Sequence, residues 1–162
     1  MAGMDVVDAK TRSRMMSHIK TKDTKPELMV RRFLHSRGFR FRLNVKALPG
    51  SPDLVLPKFQ LVIFVHGCYW HRHPGCHLAT TPATNPERWQ AKFDANVARD
   101  RRNLAALDNA GWRFLVIWEC GLRNAGTQAL TWLPDWIRGG DTSWQWPSSG
   151  EDRLDLSLDK SP

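Results

Sequence analysis

One short stretch of this chain, His66-Gly67-Cys68-Tyr69-Trp70-His71-Arg72-His73-Pro74-Gly75-Cys76-His77, carries two thiols, four imidazoles and two large aromatic rings. Thiolate and imidazole are soft and borderline donors, and Cys68, His73 and Cys76 stand at the close spacing that a tetrahedral zinc accepts. Cys120, at the end of Trp118-Glu119-Cys120, is placed to supply a fourth donor. His71 and His77 remain alternatives to His73, since both lie within reach of a metal held by the two thiolates. The groups left over, His66, His71, Tyr69 and Trp70, are then available for catalysis and for stacking.

A second chemical signal is Pro52-Asp53. Alone it is an ordinary turn-to-strand carboxylate. Many nucleases of the restriction-endonuclease type carry a Pro-Asp followed on the next strand by an acid-x-lysine triplet, with the acids on magnesium. Here that triplet position is Phe64-Val65-His66, so an acid is absent and histidine stands in the place of lysine. The absence leaves a rival to any enzyme reading, namely a zinc-stabilised DNA-binding module without catalytic activity.

Something must position these groups. With 162 residues, 41% of them hydrophobic, the chain can bury one proper core. A formal charge of +8, with basic residues spread along the sequence, favours a polyanionic partner, and nucleic acid leads. A membrane partner is not expected, because no apolar run approaches the roughly 18 to 20 residues that span a bilayer. The start lacks a basic segment followed by an apolar one, which argues against a secretory signal and for a cytoplasmic, nucleoid-associated location. Three cysteines among clustered histidines favour metal over disulfide in a reducing compartment.

Residues 1–22 read as a helical, DNA-contacting arm, basic and with Met16 and Ile19 at helical spacing. Thr24-Lys25-Pro26-Glu27 has the S/T-x-x-E pattern that opens a helix, predicted to run to about Gly38 with Leu28, Phe33 and Leu34 toward the core. Alternation over Phe39 to Leu43 predicts a half-exposed strand. Asp53-Leu54-Val55-Leu56 and Leu61-Val62-Ile63-Phe64-Val65 form an antiparallel hairpin about Pro57-Lys58-Phe59-Gln60. A symmetric register puts Asp53 opposite Phe64, with His66 on the same side at the same end of the sheet.

Asn85-Pro86-Glu87 supplies an N-cap, a first-turn proline and an acid, so a long helix should follow to Gly111, with Asn96 and Asp100 one turn apart beside Phe93, Val97 and Leu104. Trp112 to Trp118 reads as a central strand, and Thr127 to Ile137 as a last helix weakened by Pro134. The main domain spans residues 23–139, and 140–162 read as a polar, loosely attached tail. The fold class is α/β, a central mixed sheet flanked by helices.

Pro49-Gly50-Ser51-Pro52-Asp53, Val62 to His71, Asn96-Val97-Ala98-Arg99-Asp100-Arg101-Arg102, Gly111-Trp112-Arg113 and Trp118-Glu119-Cys120 together resemble the very short patch repair (Vsr) DNA mismatch endonucleases. The similarity is ordered and runs from Thr11-Arg12-Ser13 to about Leu122. It implies a restriction-endonuclease-like core, a structural zinc, and a magnesium-dependent nick on the 5′ side of a thymine mispaired with guanine. Residue by residue, it implies magnesium on Asp53 and the main-chain carbonyl of Val65, and His71 as the base that activates water. His66 would stabilise the reacting phosphate, Glu27 and Asn96 would hold metal-bound water or phosphate, and Asp100 would orient His71. Zinc would take Cys68, His73, Cys76 and Cys120. Tyr69, Trp70 and His71 would enter the base stack from the major groove, with Met16 and Ile19 wedging from the minor groove. The implied partner is duplex DNA with a T:G mismatch, bound by a monomer that works alongside other mismatch-repair proteins.

Three positions depart from the family pattern. Val65 stands where some relatives have threonine, Tyr69 replaces the more frequent phenylalanine, and Pro74-Gly75 lengthens the zinc loop.

Overall fold

The computed structural model describes Asp8, Lys10, Thr11, Ser13, Arg14, residues 22–123 and residues 125–148. Lys10, Thr11, Ser13 and Arg14 are helical, with Asp8 Oδ1 accepting from the Thr11 N–H at 2.7 Å. Met16 and Ile19 lie outside the described residues.

The first helix of the main body, α1, spans Lys25–Ser36. Thr24 caps it, its hydroxyl accepting the Glu27 N–H at 3.4 Å, while Glu27 Oε2 accepts the Asp23 N–H at 3.0 Å. That is the expected reciprocal cap, shifted by one residue on the return bond. Val30, Phe33 and Leu34 turn into the core. Leu28 is only half-buried, so Val30 takes the core position expected of it: from Leu34, the i−4 neighbour lies one turn back on the same stripe.

Five strands form one mixed sheet in the order β1 (Arg42–Leu43), β2 (Leu54–Leu56), β3 (Leu61–His66), β4 (Arg113–Trp118), β5 (Trp144–Trp146). The β2–β3 hairpin is antiparallel with Leu54 opposite Ile63 and Leu56 opposite Leu61, the register expected about Pro57–Gln60. The turn there is a single 3-10 turn closed by Gln60 in a left-handed conformation (φ 46°). β3 and β4 run parallel, joined by the long helix α3 (Pro86–Asn109). Strand β1 keeps just two of the five residues predicted.

The strands read as apolar runs because the sheet is covered on both sides. Val30, Leu34, Leu54, Leu56, Ile63, Leu115 and Ile117 form a core on the α1 face. Val55, Val62, Phe64, Leu104, Leu107, Phe114 and Val116 form another under α3. β4 is interior, as predicted, although β3 occupies the middle place.

Three expectations are corrected. Asn85 precedes α3 but sits at φ 51° with no side-chain capping bond, so Pro86 and Glu87 are the start signals that operate. The last helix is divided: a 3-10 turn covers Gly126–Leu130 and an α-helix, α4, covers Leu133–Gly139. Pro134 therefore opens a helix rather than weakening one, since its missing N–H costs nothing in a first turn. Finally, residues beyond Gly140 are not all loosely held, because Trp144–Trp146 pairs in parallel with Leu115, Val116 and Ile117. A three-residue strand is too short to show in hydrophobic periodicity. Among the described residues no helix is long and apolar enough to cross a membrane.

Candidate active site and metal centre

Register builds the site. His66 and Trp118 are the last residues of β3 and β4 and lie side by side. Cys68 and Cys120 follow each by two residues, so two distant segments deliver their thiols to one corner, at the carboxyl ends of adjacent parallel strands. Cys68 opens a one-turn helix, α2 (Cys68–His71), and its N–H donates to Glu119 Oε1 at 3.1 Å, tying the two strand ends together.

The donor atoms of Cys68, His73, Cys76 and Cys120 all lie within 4.8 Å of one another. His73 Nδ1 is 3.3 Å from Cys120 Sγ and 3.7 Å from Cys68 Sγ. Its other nitrogen, Nε2, is 3.2 Å from the carbonyl of Pro147. A carbonyl only accepts, so Nε2 carries the proton and Nδ1 turns its lone pair toward the sulfurs. His77 is exposed and outside the cluster, and it is His73 that the structure brings to the three thiols. Burial pushes the Cys68 and Cys120 thiols up, and like-charged neighbouring sulfurs add to it. Three thiolates here need a cation to offset that cost, and three cysteines with one histidine is a closed donor set of the structural zinc type.

The second constellation opens beside the first, on a cleft of about 1220 Å³. Asp53, Val65, His66, Tyr69, Trp70, His71, Asp100 and Glu27 all line it. Asp53 comes from the start of β2, and its Oδ2 accepts the Val65 N–H at 2.7 Å. Burial raises its carboxyl from the ordinary 3.8 to about 6; the Glu27 carboxylate pushes the same way, against the Val65 N–H, His71 and Arg31. Glu27 in turn is held by Arg31 at 3.1 Å.

His71 closes α2 and places Nδ1 2.6 Å from Asp100 Oδ2 on α3. Its ring stacks on His66 with centroids 3.8 Å apart and planes 4° from parallel. His66 is buried and held well below its ordinary value by desolvation, with His71 and Arg99 adding in the same direction, so it stays neutral. Its Nδ1 is buried without a hydrogen-bond partner, the sort of uncompensated cost that structural histidines avoid.

The Asn96 amide donates to the Trp70 carbonyl at 3.2 Å and so holds α2 against α3. Tyr69 and Trp70 are half-buried rather than core. Tyr69 meets Phe93 edge-on at 5.2 Å, and Lys92 Nζ lies 5.1 Å from the Trp70 ring centre. Trp89, Lys92, Arg99 and Asn103 were missed as site residues, yet Trp89 packs on both aromatics and the other three line the cleft. Helical spacing held the signal: Trp89, Phe93, Asn96, Asp100 and Asn103 advance along α3 by three or four residues at a time. Arg101 and Arg102, exposed like Lys92 and Arg99, do not line the cleft.

A family profile described as DNA mismatch endonuclease Vsr matches residues 4–77. Over 150 residues the chain is 43% identical to "DNA mismatch endonuclease Vsr" of Escherichia coli (strain K12), a match covering 90% of this chain and 96% of that protein. The chain belongs to the Vsr DNA mismatch endonuclease family. Vsr-family likeness extends to "Type II nicking enzyme V.XorIIP" of Xanthomonas oryzae pv. oryzae, 47% identical over 122 residues, 75% of this chain and 89% of that one. It extends also to "Type II nicking enzyme V.NmeAIP" of Neisseria meningitidis, 42% identical over 120 residues, 74% and 85% of the two chains. As a Vsr-family member the protein is a DNA endonuclease, a nicking phosphodiester hydrolase, and DNA is its substrate.

Proposed function

We propose that this enzyme nicks one strand of duplex DNA on the 5′ side of the thymine in a T:G mismatch, by magnesium-dependent hydrolysis, and so starts very short patch repair. The observation that carries the reading is the placement of the His71–Asp100 pair and the Asp53 carboxylate on one cleft, beside two half-buried aromatic rings. A carboxylate only accepts, so His71 Nδ1 donates to Asp100 and leaves Nε2, in the neutral ring, to take a proton from water. His66, neutral and stacked beneath, presents a hydrogen-bond donor rather than a charge to the reacting phosphate.

The residues fit a divalent cation. Asp53 is buried beside a second carboxylate, Glu27, and a cation would relieve the desolvation and the repulsion that raise its pKa. Asp53 and the Val65 carbonyl would hold it, with Glu27 on its water shell. Magnesium would supply charge for the phosphorane oxygens and a positioned water. Zinc would sit on Cys68, His73, Cys76 and Cys120, where four protein donors leave no open position and give it a structural part. The core is of restriction-endonuclease type, and the protein acts as a cytoplasmic, nucleoid-associated monomer with other mismatch-repair proteins downstream.

Recognition falls to Tyr69, Trp70 and His71, which α2 presents together at the cleft, with Met16 and Ile19 from the other groove. Unstacking a base step costs a few kcal/mol, least at an already weakened pair, so wedges discriminate before any hydrogen bond forms. The test is nicking of T:G duplexes and paired controls in varied flanking sequences, with and without magnesium. A nick confined to the 5′ side of the mispaired thymine and lost without magnesium is expected. Equal cleavage of paired duplex would overturn the mismatch reading.

A further inference from the structure

The cluster of Cys68, His73, Cys76 and Cys120 is contacted from outside by Trp118 and Glu119 at the end of β4 and by one late segment of the chain. We propose that Trp144–Pro147 is the clamp of the metal site, so that metal binding and docking of β5 are one coupled event; this rests on the reading of the cluster as a zinc site.

Four observations support it. Pro147 accepts at 3.2 Å from His73 Nε2, the bond that turns Nδ1 toward the sulfurs across 74 residues of sequence. The indole of Trp118 stacks on the same imidazole with centroids 4.4 Å apart and planes 11° from parallel. That indole is held from β5, its Nε1–H donating to Oε1 of the buried Gln145 at 3.2 Å. Gly121, next to Cys120, meets β5 directly: a Cβ there would come within 2.5 Å of the Trp146 ring and 2.8 Å of Pro147. One segment thus orients the histidine donor from two directions and presses on the turn that carries the last thiol.

The physical consequence is reciprocal. Without metal, the Nδ1 lone pair that the Pro147 carbonyl sets up has no cation to hold, and the bond to Pro147 loses part of its advantage; without Pro147 and Gln145, the metal loses the contacts that pre-orient the ring. Partners of this kind change metal affinity by about 10–100-fold. β5 is a three-residue strand on the edge of the sheet, held by pairing with β4 and by Trp132 against Trp144 and Trp146, and the cluster adds a further anchor for it.

The test uses full-length protein. Zinc content is measured by elemental analysis, and cobalt binding by its thiolate charge-transfer absorbance, for wild type, Gln145→Leu, Gly121→Ala and, as an equally core-disrupting control remote from the cluster, Val30→Ala. Hydrogen exchange of residues 144–146 is followed with and without zinc. Gln145→Leu and Gly121→Ala should release metal to a chelator at least about tenfold faster, while Val30→Ala releases it at the wild-type rate. Zinc removal should expose the amides of 144–146 before those of the β2–β3 hairpin. Should Gly121→Ala fail to fold, Gln145→Leu decides, because it alters a buried bond without adding bulk. Wild-type release rates, or equal protection of 144–146 with and without zinc, overturn the coupling alone. Folded, active protein with no zinc overturns the zinc reading as well.

Discussion

His71 Nδ1 and Asp100 Oδ2 lie 2.6 Å apart, joining the end of a one-turn helix to the middle of a long one across 29 residues of sequence. The contact is half-buried, with side-chain exposures of 26% and 18%, so the His71 ring is fixed on one edge while the other edge faces the cleft. The Asn96 bond to the Trp70 carbonyl, one helical turn earlier, fastens the same two elements.

Asp100→Asn should therefore lower kcat by roughly two to four orders of magnitude with little change in DNA affinity, because an amide permits the wrong tautomer. His71→Ala should cost a similar factor in rate and some affinity in addition, since its ring also stacks. Single-turnover nicking alongside equilibrium binding separates the two effects; unchanged single-turnover rates in both variants would remove the base from this position.

Asp53 supplies a pH dependence with a definite sign. Its carboxyl is raised from 3.8 to about 6, so its contribution to folding is complete below pH 4 and is lost as pH rises through about 6. In magnesium-free buffer Asp53→Asn should then melt higher than wild type at pH 8, by up to about 2–3 kcal/mol, with the gain shrinking toward pH 5. The same variant should not nick, while still binding mismatched duplex. Thermal melts across pH, paired with a nicking assay, check both; an active Asp53→Asn enzyme would sink the proposed metal site.

Loss of a thiol should be felt in stability as well as activity, because the cluster ties the ends of β3 and β4. Cys120→Ser should cost roughly 3 kcal/mol or more, about 6–12 °C in Tm for a chain of this size, and release zinc. Calorimetry with elemental analysis reads it; an unchanged Tm would mean the cluster binds nothing that matters to the fold.

Recognition and charge should separate in their salt dependence. Trp70→Ala removes a stacking face worth about 1–3 kcal/mol and should weaken mismatch binding by one or two orders of magnitude at nearly constant salt slope. Lys92→Ala and Arg99→Ala, both on the cleft, should weaken paired and mismatched duplexes alike and flatten the slope by about one unit per phosphate contact. Arg101→Ala and Arg102→Ala, exposed and off the cleft, should do neither. Binding titrations of both duplexes at several salt concentrations decide; a Trp70→Ala enzyme that keeps the wild-type mismatch ratio but melts lower would make Trp70 a core residue.

Local pattern was enough for much of this protein. Thr24 and Glu27 announce α1, the symmetric turn at Pro57–Gln60 sets the β2–β3 register, and the apolar run to Trp118 marks an interior strand, because caps, turns and burial periodicity are short-range properties. The thiols of Cys68, Cys76 and Cys120 were legible as donors from residue type and position, while spacing alone left the histidine open. What only the tertiary structure decided are the meetings between distant segments. The choice of His73 over His77 depends on a carbonyl at Pro147, the confinement of Asn96 depends on where α2 docks, and the selection of Lys92 and Arg99 over Arg101 and Arg102 depends on which side of α3 faces the cleft. Strand β5 shows the limit most plainly: three residues carry too little pattern to predict a strand, and they become one through pairing with β4 and packing against Gly121.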